Sequence, residues 1–158
     1  MLSHMDADNR PQAVDVSGKE ATLRTAEAQA LVTLPPEAAE ALRAGALASQ
    51  KGPVFDTAIL AGVMAAKQTA GLIPLCHTIP LEDCKVFIGF NEAGDVEIRC
   101  RAVARHKTGV EMEALTGASV AALTVYDMCK ALSHGIVIRE TKLLSKTGGK
   151  HDYHLPGG

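Results

Sequence analysis

The run Lys146-Thr147-Gly148-Gly149-Lys150 could do the plainest chemistry in the sequence. Its glycines would let backbone N–H groups approach an anion held between two lysines. The ordinary alternative is a solvated tail. A second candidate is Glu111-Met112-Glu113, which follows Thr108-Gly109-Val110. Here the ordinary reading is specific: Thr108 as N-cap and Glu111 three residues on make a capping box, and acids suit a first helical turn. Asp127 and Lys130, three apart, share one helix face and could be a simple ion pair. Asp127 is nonetheless misplaced, because it adds negative charge where the helix dipole is already negative, and Lys51 is the mirror case ahead of a helix N-terminus. Cys76-His77 invites a nucleophile or a metal ligand. Neighbouring side chains in an extended segment point in opposite directions, and no other Cys or His falls at a usual ligand spacing, so no metal site is expected. His151 and His154 are read as solvated.

The elements that must position these groups are legible from period and punctuation. Thr22–Leu34 reads as a strand stopped at Pro35-Pro36, and a short helix follows from Pro36 to Ala44, ended by Gly45. Pro53 suits the first position of a second helix, running to about Ala70 and closed by Gly71. Cys84, Val86, Ile88 and Phe90 alternate with Lys85, Phe87 and Gly89, and Val96, Ile98, Cys100 and Ala102 with Glu97, Arg99 and Arg101, which predicts a β-hairpin with one buried and one wetter face. A long helix from Val110 to about Leu132 and a strand from Ile136 to Leu144 complete an α+β chain: an antiparallel sheet with helices packed on it. Both long helices lack a polar stripe, with no charge from Thr57 to Ala66 or from Ala114 to Tyr126. In so small a protein this predicts that another subunit covers their outer faces.

Composition narrows the function. One domain, residues 15–150, is expected between a flexible leader (1–14) and a flexible tail (151–158) in a chain of 158 residues. Net charge is −2, only 3% of residues are aromatic and there is no tryptophan, so neither general nucleic-acid affinity nor base stacking on aromatic platforms is supported. Any anionic ligand must be held by a local cluster of lysines and arginines. No G-x-G-x-x-G or P-loop motif occurs. The four cysteines make no C-x-x-C pair, and with no signal peptide and no membrane-length apolar run the expected setting is a reducing cytoplasm.

Taken in order, Asp15-Val16-Ser17-Gly18-Lys19, Arg24-Thr25-Ala26, Lys51-Gly52, Ala61–Lys67, Ile73–His77, Thr108–Thr116, Tyr126–Ala131 and Lys146–Lys150 are much more specific than any block alone. From Asp15 to Lys150 the chain resembles the molybdenum cofactor biosynthesis protein C family. It departs at Thr78, where many members have proline, and at Pro53, where an acid is common. The resemblance implies a ferredoxin-like subunit in a hexamer built as a trimer of dimers, with active sites at subunit interfaces. It implies a lyase-type reaction on a guanosine triphosphate that a radical enzyme has cyclised between C8 and the ribose, giving cyclic pyranopterin monophosphate and diphosphate. No metal or organic cofactor is implied. By the same resemblance Lys51 and Lys130 act as acid and base, and Asp127 positions or polarises Lys130. Leu75, Cys76 and His77, with Met112 and Glu113, form the wall that recognises the base, and Glu111 is placed with them. A carboxylate such as Glu113 can accept two N–H donors from a guanine edge. Lys19, Arg24, Lys146 and Lys150 extend this set as a cationic cradle for the triphosphate. The alternative is a non-catalytic partner that holds the nucleotide for the radical enzyme.

Overall fold

Alanine dominates the inward stripe of the first strand, and that decides how closely the helices approach the sheet. The computed structural model describes residues 4–45, 48–49 and 52–157. In chain order it contains β1 (Thr22–Thr33), α1 (Pro36–Arg43), β2 (Ala48–Ser49), β3 (Gly52–Pro53), α2 (Val54–Lys67), α3 (Thr69–Leu72), β4 (Asp83–Phe90), β5 (Val96–His106), α4 (Glu111–Cys129), β6 (Val137–Thr147) and β7 (Tyr153–His154). One five-stranded antiparallel sheet has the order β4-β5-β1-β6-β7, and β2 pairs with β3 separately.

Ala26, Ala28, Ala30 and Val32 of β1, with Ile98, Cys100, Ala102 and Ala104 of β5, are completely buried. They form one face of the sheet, because alternate residues of a strand share a side. Helix α4 lies across β1, β5 and β6, while α2 packs beside it over β4. Small side chains on both layers bring them close: Ala114, Ala118, Ala121 and Ala122 of α4 are also fully buried. The two long helices meet at glycines. A Cβ on Gly62 would lie 3.0 Å from the Gly117 carbonyl oxygen, and one on Gly117 would lie 3.1 Å from the Gly62 oxygen and 2.5 Å from Cys100 Sγ.

Several boundaries differ from the sequence reading. Pro53 is the N-cap of α2 rather than its first residue. The helix expected to reach Ala70 stops at Lys67, where the Gln68 N–H turns back to Ala65 O and the Thr69 hydroxyl donates to Ala65 and Ala66 carbonyls. These side-chain bonds take over carbonyls that a continuous helix would use itself. The capping box does not form: Val110 is the N-cap of α4 and no side chain caps it. Strand β6 runs to Thr147, past the expected end at Leu144, and the segment read as a tail adds β7 to its edge. In the leader, Asp6 Oδ1 accepts the Asp8 and Arg10 N–H groups, and Met5 bridges to Pro11. All four cysteines are free, and among the described residues no helix is long and apolar enough to cross a membrane.

Candidate active site

The stripe of β1 that is alanine beneath α4 turns cationic beyond it. Arg24 and Thr22 continue the parity of Ala26, Ala28 and Ala30, but α4 begins only at Glu111 and the sheet extends past its N-terminus. Strand β6 reaches the same ledge through a bulge. Its partners on β1 jump from Leu143 opposite Ala28 to Ser145 opposite Glu27, leaving Leu144 as the extra residue. Without it the alternation would point Lys146 to the far face; with it Lys146 lies opposite Ala26, on the helix side. There its Nζ is 3.3 Å from Glu111 Oε1.

The Lys146–Lys150 run then turns tightly. Gly148 has φ +94°, and a Cβ on it would overlap the Leu23 carbonyl, so only glycine fits. The Thr22 hydroxyl donates to Gly148 O at 2.6 Å. Arg24 is braced by two donations, from Nε to His106 O at 3.3 Å and from Nη2 to Lys107 O at 3.1 Å. The result is a cleft of about 690 Å³ into which Lys19, Arg24, Lys146 and Lys150 all reach, with Glu20 and Glu111 the acids at its wall.

A second cavity of about 280 Å³ adjoins it, lined by Leu75, Cys76, His77, Met112 and Glu113 together with Val14, Val16 and Ile79. Leu75 is held at φ +66°, a left-handed conformation that costs a non-glycine residue roughly 1 kcal/mol. His77 Nε2 donates to Val14 O at 2.7 Å, which ties this loop to the segment before β1. Glu113 is only 4% exposed. Burial pushes its carboxyl up to about 7; its own backbone N–H offsets part of that, and the charge of Glu111 adds to it. Burial also raises the Cys76 thiol, and the neighbouring Glu113 raises it further. Such a wall can read the N–H edge of a flat heterocycle: apolar sides, one buried carboxyl to accept.

Lys19, Thr108, Gly109 and Glu111 line both spaces, so the two meet at the start of α4. Gly109 leaves room for the Glu111 carboxylate, which occupies the position a Cβ would take. Thr108 Oγ1 is buried with no hydrogen-bond partner, a condition that costs about 1–3 kcal/mol.

The site residues expected from sequence therefore fall into two groups. Lys19, Arg24, Leu75, Cys76, His77, Glu111, Met112, Glu113, Lys146 and Lys150 converge at the N-terminal end of α4. Asp127 and Lys130 do not join them. They pair at 2.9 Å at the other end of the helix, and the helical rise from Glu113 to Asp127 places it roughly 21 Å away along the axis. Lys51 lies outside the described residues. Sequence reasoning missed Thr108 and Gly109 at the junction, because the capping box accounted for Thr108, and missed His4 and Val14 of the leader, which line the smaller cavity. Among the described residues no three His, Cys, Asp or Glu side chains gather as a metal ion would need.

Residues 13–149 match the model of the MoaC family. The chain is 53% identical over 151 residues to a cyclic pyranopterin monophosphate synthase of Xanthomonas oryzae pv. oryzae, covering 96% of this chain and 92% of the relative. It is 48% identical over 156 residues to a molybdenum cofactor biosynthesis bifunctional protein of Synechocystis sp., covering 96% of this chain and 45% of that one. It is 47% identical over 166 residues to molybdenum cofactor biosynthesis protein 1 of Dictyostelium discoideum, covering 94% of this chain and 26% of that one.

Proposed function

The chain belongs to the MoaC family, and we propose that it is a cyclic pyranopterin monophosphate synthase of molybdenum cofactor biosynthesis. Its substrate is guanosine 5′-triphosphate cyclised between C8 and the ribose, and its products are cyclic pyranopterin monophosphate and diphosphate. The observation that carries this reading is the pairing of two unlike spaces at one helix start. A small cavity with a buried carboxyl suits a guanine-type edge, and a larger cleft with four cations suits a triphosphate. The 53% identity to a protein of that name, over almost the full length of both chains, supports it.

Glu113, Met112 and the Leu75–His77 loop then orient the base, Glu111 stands at the junction, and Lys19, Arg24, Lys146 and Lys150 neutralise the phosphates. Lys51 and Lys130 carry protons during ring opening and phosphate cyclisation, and Asp127, 2.9 Å from Lys130, orients it. Since Asp127 lies roughly 21 Å along α4 from Glu113 of its own chain, it and Lys130 serve the site of a neighbouring subunit in a ferredoxin-like hexamer, a trimer of dimers. Four free thiols suit a reducing cytoplasm. The radical enzyme that makes the substrate is the functional partner, a reading supported by relatives in which the matching region is only 45% or 26% of a longer chain. The catalytic unit spans residues 15–150.

Purified protein given the cyclised nucleotide should release diphosphate. Lys130→Arg and Lys51→Arg should each bind that nucleotide within about tenfold of the parent but lose at least about a hundredfold in turnover. Arginine keeps the charge, yet with a pKa above about 12 it cannot give up its proton near neutral pH. Unchanged turnover in both variants would reduce the lysines to phosphate counter-charges. Binding without any diphosphate release by the parent would leave only a nucleotide-holding partner.

A further inference from the structure

Two side-chain atoms among the described residues are buried without a hydrogen-bond partner, His106 Nδ1 and Thr108 Oγ1. His106 lines neither cavity, whereas Thr108 stands in the wall they share, with Lys19, Gly109 and Glu111. The usual use for a threonine just ahead of a helix is to cap it, but α4 starts at Glu111 with Val110 as its N-cap and no side-chain cap bond. The hydroxyl thus has no structural partner at the place where a nucleotide spanning both spaces would pass from sugar to phosphate.

We propose that Thr108 is a substrate-binding residue whose hydroxyl turns into the junction and donates to an oxygen of the sugar-linked phosphate. This rests on the proposed function and adds to it the group that reads the first phosphate. Threonine carries a hydroxyl and a methyl on one Cβ, so a step between staggered χ1 wells exchanges them without moving the backbone. No protein hydrogen bond is broken by that step, because none is made from the buried position. In the junction the hydroxyl meets an anionic acceptor beside Lys19, and a hydrogen bond to a charged group is the stronger kind. Glu111 does not compete for the phosphate: its carboxylate repels it and pairs instead with Lys146 at 3.3 Å.

Titration calorimetry with guanosine 5′-triphosphate and with guanosine tests this on the full chain. Thr108→Val keeps the shape and deletes the hydroxyl; Thr108→Ser keeps the hydroxyl and deletes the methyl. The expected result is a loss of about tenfold or more in triphosphate affinity for Thr108→Val, a change within about threefold for Thr108→Ser, and unaltered guanosine affinity in both. The valine variant should unfold at no lower temperature than the parent, since it loses an unpaired buried group. Equal triphosphate affinity in Thr108→Val and parent overturns the proposal, and so does a serine variant as weak as the valine one. A valine variant that loses stability and guanosine binding together points to a packing role and overturns it too. If the parent releases diphosphate from the cyclised nucleotide while Thr108→Val matches it, this inference alone fails. A parent that releases none removes the proposed function and the inference with it.

Discussion

Glu113 sits in surroundings that oppose its ordinary, ionised state. Its carboxyl is raised to about 7 by burial, above the usual 4.5. A carboxyl raised in the folded state binds its proton more tightly there, so its contribution to stability is full below about pH 4.5 and is lost as pH rises towards about 7. Binding runs in the opposite sense, because only the carboxylate accepts two N–H donors from a guanine edge. Guanosine affinity, measured without phosphates to titrate, should therefore rise between about pH 6 and pH 8 and level off above that. Glu113→Gln should bind more weakly and show no such rise; a parent whose affinity is flat over that range contradicts the assignment. The residue types of this site were legible in the sequence as separate short blocks. Their convergence was expected from the family resemblance and not from period or spacing, which for Lys146 miss a bulge: without the extra Leu144, Lys146 would point away from Glu111. Thr108 was hidden for a different reason, since its spacing to Glu111 fits a capping box that the backbone does not adopt.

At the scale of elements, the site is a ledge left where α4 ends before the sheet does, and its shape depends on how closely α2, α4 and the sheet pack. Gly62 and Gly117 set that distance. Gly117→Ala gains up to about 1 kcal/mol in helix propensity but puts a Cβ 2.5 Å from Cys100 Sγ and 3.1 Å from the Gly62 oxygen. Overpacking costs about 1–3 kcal/mol, and a contact of 2.5 Å belongs at the upper end of that range, so after the propensity gain chemical denaturation should show a net loss of about 1–2 kcal/mol. A variant as stable as the parent would mean that the two helices can move apart freely. Much of this level was legible. The alternation of Cys84–Phe90 with Val96–Ala102 specified a hairpin, and the register Val86↔Cys100 and Ile88↔Ile98 is the one that puts the apolar residues on one face. The break after Lys67 was not, because the Thr69 hydroxyl bonds that accompany it leave no periodic trace.

For the whole molecule, the outer face of the helical layer is its most telling surface. Leu60 is 60% exposed, Met64 50% and Leu123 56%, on the two helices that carry no charge along that stretch. The lack of a polar stripe was visible in the sequence, and these exposures are its physical consequence in a single chain. Light scattering should give a mass several times 16.6 kDa, and Leu123→Glu should dissociate the assembly or prevent folding; a well-folded monomer of the parent at micromolar concentration would sink the oligomer. In the proposed assembly, the base wall around Glu113 and the Asp127–Lys130 pair come from different chains. The direct measurement is diphosphate release after Glu113→Ala and Lys130→Ala proteins, each inactive alone, are unfolded together and refolded as a mixture. In mixed assemblies about a quarter of the interface sites combine two unaltered halves, so activity should return to about that fraction of the parent's. A mixture that co-assembles yet stays as inactive as its components would contradict the account.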